Sequence, residues 1–384
     1  MSLVYSEEQR LLADSAREFL AARSPVAAQR RLRDEACEPG YDPQLWQEAV
    51  GLGWSGIPFP EALGGLDFGC MGLGPIFEAM GRNLSASPLL SSVVLGGSLI
   101  HLAGSVAQQD QWLAALISGE RRLALALEEH PRHGPAHTAL TATAAHGGYR
   151  LDGEKFLVID GLGADAYLVA ARTSGQAGEE QGISLFLVPA DTPGLQVSGL
   201  SLIDSRNCAQ LRFNAVQLGN DTLLGSAGAA WPALDEALDR GRACLAAEML
   251  GAAEQLFALT LDYLKTRVQF DVPIGSFQAL QHRAARLHVE LQLARSTVMA
   301  ALSALDDNVL SAAERGRLVS LGKWKAGEAA TLISNEAVQM HGGIGVTDEL
   351  DVGLYLKRIR VAQTFLGDSD FHCARYAAFE FLEK

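Results

Sequence analysis

Two short strings hold the side chains whose types and spacing could do chemistry. In RVQFDVPIGSFQ, residues Arg267, Phe270 and Gln278 stand where a long helical pattern ends, turns at Pro273 and Gly275, and begins again. A guanidinium in such a turn can grip phosphate oxygens in bidentate fashion, and an aromatic ring beside it shields that grip from water. In QMHGGIG, Gln339 and His341 lead into Gly342 and Gly343. Adjacent glycines carry no Cβ, so bare backbone N–H groups can approach the oxygens of a dinucleotide. Each string has a plainer reading, a surface arginine with a core phenylalanine in the first, and GGIG alone is weak evidence.

The elements that must position these strings follow from hydrophobic period. Residues 1–117 read as helical: Leu11, Leu12, Ala16 and Phe19 recur at helix spacing, and Ser6 followed by Glu7, Glu8 and Gln9 is a capping start. The stretch 51–69 is a long Gly/Pro-rich connection, and Pro88 and Gly96-Gly97 flank a further helical run. Residues 118–225 switch to short β-rich runs, among them YRLDGEKFLVID, AYLVAA and ISLFLVPA, which read as an antiparallel β-barrel or sandwich. Residues 226–384 return to long amphipathic helices, with stripes such as Leu256, Leu259, Tyr263 and Leu264, then Leu287, Leu291, Leu293 and Val298, and pack as a four-helix bundle. The expected fold class is therefore α+β multidomain, with an N-terminal all-α domain, a middle β domain and a C-terminal bundle.

Composition excludes several classes of partner. At 384 residues with 48% hydrophobic and 20% charged side chains the chain builds a sizeable core, and a net charge of −14 repels nucleic acid and anionic membranes. The N-terminus lacks a signal-peptide pattern and no uninterrupted apolar run suggests a membrane span, so a cytoplasmic location is expected. Cys37, Cys70, Cys208, Cys244 and Cys373 are scattered and read as free buried thiols. HPRHGPAH carries His130, His133 and His137 on a Pro/Gly-broken stretch unsuited to fixing a metal, so none is expected.

Together the two strings, with GEKFLVIDGLGADAYLVAART in the β region, resemble the acyl-CoA dehydrogenase superfamily over nearly the whole chain. The resemblance implies FAD as cofactor, with Arg267 on its pyrophosphate, Phe270 beside it and Gln278 near the nucleotide. It puts Gln339, Gly342 and Gly343 on the ADP half of a flavin whose reactive ring sits in a neighbouring subunit. It also implies an acyl-CoA substrate, a role in fatty acid or dicarboxylate degradation, an electron-transfer flavoprotein as acceptor, and an oligomer. EEQRLLADS, YLKTRVQF, QHRAA and LYLKRIRVAQTFLGDSDFH are most similar to the small subunit of pimeloyl-CoA dehydrogenase and related two-subunit enzymes.

The family's pattern is interrupted where its chemistry happens. Such an enzyme needs a carboxylate to take the α-proton while the flavin takes hydride. Leu366 falls on one of the family's two base positions and Gly241, beside Arg242, on the other. The thioester and flavin loop is replaced by LEEHPRHGP, the strand that faces the flavin carries Leu157 and Ile159 in place of an indole and a hydroxyl, and Asp271 stands where the family has glycine. The expectation is a heteromer in which this chain lends its half-site to a larger dehydrogenase subunit. The alternatives are a self-sufficient homo-oligomeric enzyme with Glu248 or Asp368 as relocated base, and a non-enzymatic scaffold. An ω-carboxylated acyl group could meet Arg206 or Arg286.

Overall fold

Ser6 accepts from the Gln9 N–H while the Gln9 side chain returns to the Ser6 N–H, a capping box that starts helix α1 (Glu7–Arg23). In this computed structural model, which describes residues 4–37, 39–145 and 147–382, there follow α2 (Val26–Asp34), α3 (Pro43–Gly51), α4 (Gly69–Asn83), α5 (Ser98–Ala103) and α6 (Val106–Ile117). The strands are β1 (Leu123–Ala126), β2 (Thr141–Ala145), β3 (Gly148–Ile159), β4 (Ala166–Arg172), β5 (Ile183–Pro189), β6 (Leu195–Gly199), β7 (Cys208–Gly219) and β8 (Leu223–Leu224). Then come α7 (Trp231–Thr266), a hairpin of β9 (Val268–Gln269) and β10 (Val272–Pro273), α8 (Gln278–Leu305), α9 (Ala312–His341), α10 (Val352–Thr364) and α11 (Ser369–Leu382). The order is helical domain, β-sheet domain, helical domain, as the hydrophobic periods predict.

By contacts the chain forms two compact units, one of residues 1–31, 69–85 and 242–384, the other of 32–68 and 86–241. The N-terminal helices are thus shared out: α1 and α4 join the C-terminal bundle, while α3, α5 and α6 join the sheet.

In the sheet unit the strand order is β6-β7-β3-β2-β4-β5-β8, with β1 also paired to β4. Most pairs are antiparallel; β1 with β4 and the single Thr141–Arg172 pair are parallel. Every residue of β4 is buried, as is β5 up to Pro189. That is why AYLVAA reads as a continuous apolar run and not an alternating one. Tyr167, Phe186, Phe213, Leu151 and Val158 form the core. The run after Pro88 is a π-helical turn, Leu89–Gly97, that includes both glycines. A Cβ on Gly96 would stand 2.7 Å from Leu123 Cβ, so glycine there lets this turn approach β1.

In the bundle unit α9 packs against α8, α10 and α11, and α1 against α4. The buried stripe of α1 is Ala13, Ala16 and Leu20, while Leu11 is 65% exposed, a shift from the expected face. Gly81 on α4 and Gly251 on α7 meet where a Cβ on either would overlap the other helix's backbone, at the Glu248 and Glu78 carbonyls. Gly251→Ala is expected to cost about 3 kcal/mol, the upper end of overpacking, read as a lower denaturant midpoint; an unchanged midpoint rules out this close crossing. Nearby, Tyr5 donates to Glu78 at 2.8 Å, and Arg295 bonds Glu78 and Glu254. Burial pushes the Glu78 carboxyl up despite Arg295.

Among the described residues one helix, α7, is long and apolar enough to cross a membrane, and 72% of its most apolar window is buried, as in a core helix. Cys70, Cys208 and Cys244 are buried and form no disulfide, whereas Cys37 is half-buried and Cys373 exposed, so not all five thiols are buried as expected.

Candidate functional site

The two chemistry-bearing strings meet at one end of the bundle unit. Tyr263, on the last turn of α7, accepts the Arg267 N–H at 2.8 Å. Its ring stacks on His341 with centroids 4.4 Å apart, and its hydroxyl donates to the His341 carbonyl at 3.3 Å. His341 ends α9 and is held by a 2.8 Å bond between Nδ1 and the Ala337 carbonyl. The end of the Arg267 helix and the start of the glycine loop are thereby pinned side by side.

Beyond Arg267 the chain reverses in a two-residue hairpin, Gln269 opposite Val272. Its central residues Phe270 and Asp271 both have positive φ, +52° and +65°, as a type I′ turn requires. Aspartate tolerates that conformation better than most side chains, so Asp271 can hold this turn without a glycine. Phenylalanine does not tolerate it well, and Phe270 is 81% exposed, edge-on to Phe277 at 6.2 Å. A strained, exposed aromatic is unexplained by folding of this chain alone, and such outliers gather at binding sites. Gly275 then packs against α7, where a Cβ would stand 2.8 Å from the Leu264 carbonyl oxygen. Helix α8 opens at Gln278 with Phe277 at its N-cap and no side-chain cap, which leaves first-turn N–H groups for an outside acceptor.

The glycines of this loop differ in what the fold requires of them. Gly342 has φ +65° and ψ −145°, a conformation that other residues avoid. Gly345 is buried, and a Cβ there would stand 2.9 Å from the Val338 carbonyl oxygen. Gly343 is exposed with open space around it, so nothing in the chain itself demands a glycine. Arg267, Phe270, Gln278, Gln339, Gly342 and Gly343 are all exposed. Bare N–H groups, an open arginine and an uncapped helix start suit the phosphate and adenosine half of FAD.

The positions for a proton-abstracting carboxylate are otherwise occupied. Leu366 is buried with φ +58°, and its carbonyl accepts from Arg242 Nε and sits 3.2 Å from His372 Nε2. Lys323, fully buried, donates to the carbonyls of Ala362, Gln363 and Gly367 at 3.0–3.2 Å and so closes the C-terminus of α10. The backbone of this loop is firmly held, but the side chain it presents is apolar. Glu248, the first candidate for a relocated base, is 3% exposed and accepts from Arg358 Nε and Nη2 at 2.7 and 2.9 Å. A bidentate ion pair engages both carboxylate oxygens, which leaves Glu248 badly placed to reach a substrate proton. Asp368 accepts the Phe371 N–H at 2.9 Å and caps α11. Lys323, Arg358 and His372 escaped sequence reasoning; the available signal was a cation set in an apolar helix, as in LGKWKAG.

Burial and the nearby Arg242 push the Lys323 ammonium down from its ordinary 10.5 to about 7. Between those values the unfolded chain holds a proton that the folded chain does not, so stability from this group rises with pH across that window. Lys323→Met is expected to be less stable throughout, and the deficit should widen from pH 7 to 10 by up to about 1.4 kcal/mol per pH unit. Urea unfolding of both proteins at several pH values checks this, and a constant deficit refutes it.

In the sheet unit, LEEHPRHGP is neutralised from within. Lys155 on β3 is fully buried and donates to Glu129 at 2.6 Å and to the Leu127 carbonyl at 2.9 Å. Burial holds its pKa below the usual lysine value against the pull of Glu129. Glu129 also accepts from Ala139 and Leu140 N–H, and Glu128 bonds His133. His130 and His137 are exposed, and the segment lines a cavity of about 600 Å³. Leu157 lies in a β-bulge of β3 with φ +51°, half-buried like Ile159. Two aliphatic side chains beside a carboxylate-rich loop suit the polar edge of a flavin ring poorly. Arg206 lines a different cavity of about 620 Å³ with Arg33 and Cys37, and Arg286 is exposed on α8.

This order of domains defines a protein of the helix–sheet–helix type, and its exposed arginine hairpin beside a glycine loop has the chemistry to suit a dinucleotide. Residues 6–120, 125–216 and 228–380 match the acyl-CoA dehydrogenase N-terminal, middle and C-terminal domains. Acyl-CoA dehydrogenase FadE27 of Mycobacterium tuberculosis is 32% identical over 86% of each chain. Among solved structures, a variant of the Tcur3481-Tcur3483 steroid ACAD is 30% identical over 98% of each chain with a TM-score of 0.86. The ChsE4-ChsE5 complex from Mycobacterium tuberculosis is 28% identical over 100% of each chain with a TM-score of 0.88. The chain belongs to the acyl-CoA dehydrogenase family, FAD-dependent oxidoreductases of the CH–CH bond.

Proposed function

We propose that this chain is the smaller subunit of a two-subunit acyl-CoA dehydrogenase and lends the phosphate- and adenosine-facing half of an FAD site to a larger, catalytically complete partner. One contrast carries this reading. Arg267, Phe270, Gln278, Gln339, Gly342 and Gly343 stand exposed together, while Glu248 is engaged by Arg358 and Leu366 and Gly241 offer no carboxylate. Bound FAD supplies the hydride acceptor. The α-proton must go to a carboxylate, and in this reading the partner provides it.

The roles of this chain's residues follow from their chemistry. Arg267 and the open start of α8 neutralise and orient the pyrophosphate. Phe270 covers that contact against water, and Gln278 and Gln339 offer amides to the nucleotide. Gly343 admits the backbone close to it. Two similar solved structures, the Tcur3481-Tcur3483 steroid ACAD variant and the ChsE4-ChsE5 complex, carry the names of paired proteins, which supports a two-chain assembly. The pimeloyl-type resemblance favours an ω-carboxylated acyl-CoA, and the likeness to a steroid ACAD makes a steroid acyl-CoA the second candidate. Electron-transfer flavoprotein is the proposed acceptor.

The test is to measure flavin absorbance and acyl-CoA oxidation for the chain alone, then co-expressed with a larger, catalytically complete acyl-CoA dehydrogenase subunit from the same genome, using pimeloyl-CoA, a steroid side-chain acyl-CoA and a fatty acyl-CoA. Flavin and turnover that need the partner support the proposal. Stoichiometric FAD and turnover in the chain alone overturn it.

A further inference from the structure

The glycine loop is held on its N-terminal side by the Tyr263–His341 stack. On its far side the chain runs through an exposed turn, residues 346–349, before α10 begins at Val352. Several bonds of this turn are local: the Thr347 N–H and Oγ1 both donate to the Ile344 carbonyl. Bonds of that kind shape a turn without fixing it to the body of the protein. Arg30, from α2 and more than three hundred positions away in sequence, supplies bonds that do. Its Nη1 donates to the Asp348 carbonyl at 2.8 Å and lies 3.0 Å from Asp348 Oδ2. Its Nη2 donates to the Leu350 carbonyl at 3.0 Å, and Nε and Nη2 both reach Asp351 Oδ1 at 3.0 and 2.9 Å.

Asp351 occupies the N-cap position of α10 yet makes no side-chain cap, because its carboxylate is turned to Arg30. A planar guanidinium suits this task, since it presents several donors in a fixed fork, whereas an ammonium offers one point of charge. Arg30 is only 21% exposed, so its charge contacts are screened less than those of a free surface pair.

We infer that Arg30 is a positioning residue for the cofactor: it clamps the turn of residues 348–351 and so sets the direction in which the Gly342–Gly343 N–H groups face an FAD phosphate or ribose oxygen. This rests on the half-site reading above, but the clamp itself can be tested without flavin. Arg30 makes no contact with the cofactor in this scheme; it acts through the loop.

The experiment compares Arg30→Ala, Arg30→Lys and the acceptor-side variant Asp351→Asn with wild type. Hydrogen exchange on the flavin-free chain reads the amides of residues 343–350, and FAD titration of the assembly with its partner subunit reads affinity, with Arg267→Ala as control. In Arg30→Ala, exchange in that segment should speed up about tenfold while the α8 and α9 amides stay protected. FAD affinity should weaken about tenfold, with Arg30→Lys recovering part of it. Asp351→Asn should shift both in the same direction, and it covers the case in which Arg30→Ala fails to fold. Unchanged exchange in the segment overturns the clamp. Faster exchange with unchanged FAD affinity, while Arg267→Ala weakens binding, overturns the positioning role and leaves the half-site standing. If Arg267→Ala has no effect either, the half-site reading falls and the inference with it.

Discussion

Arg267→Ala is expected to weaken FAD binding by the assembled enzyme about 10- to 100-fold, the loss of one or two charge-assisted bonds to phosphate. The side chain is exposed at the end of α7, so the unfolding free energy should move by less than about 0.5 kcal/mol. That separation makes the experiment decisive: affinity falls and the fold does not. Arg267→Lys should recover only part of the affinity, because an ammonium cannot make two parallel bonds to one phosphate. Fluorescence titration of flavin-stripped assembly measures both. Wild-type affinity in Arg267→Ala means that the cofactor does not rest on this hairpin.

Glu248→Gln has the second large effect, and it falls on stability. Removing one partner of a buried ion pair leaves the other charged and uncompensated, which costs about 3–5 kcal/mol. Glutamine keeps the shape and one acceptor, so about 3 kcal/mol is expected from guanidinium unfolding curves. Turnover per folded assembly should be unaffected, since Glu248 is engaged by Arg358 at 2.7 and 2.9 Å and is not poised to take a proton. A variant that folds as stably as wild type yet loses turnover would restore Glu248 as a relocated base.

The sequence spacing places Glu248 two helical turns beyond Gly241, on a similar face of α7, and that geometry is right as far as it goes. What spacing along one helix cannot carry is the identity of a partner on another. Arg358 is 110 residues away, and only the packed bundle brings it to Glu248. The same limit applies to helix faces. Leu11 and Leu293 fit the helical period yet are 65% and 49% exposed, because the period marks an apolar stripe without saying which edge of it meets a neighbour. Asp368, the second candidate for a relocated base in the sequence, serves as a helix cap in the fold.

Local features were more legible. The capping box at Ser6 and the turn after Arg267 depend on residues within a few positions of each other, as do the glycines of the loop after His341. Those short-range rules also carry the family resemblance, since the hairpin and the glycine loop each lie in one stretch of chain. The sequence by itself thus determined the order of domains, the family and the exposed residues suited to a dinucleotide. The tertiary structure decided which charges are free to act: Glu248, Lys155 and Glu129 are neutralised by partners distant in sequence, Lys323 is committed to three carbonyls, and Arg30 is drawn to the turn beyond the glycine loop. Whether a charge is available depends on burial and on what lies within about 4 Å of it, and neither is set until distant segments pack.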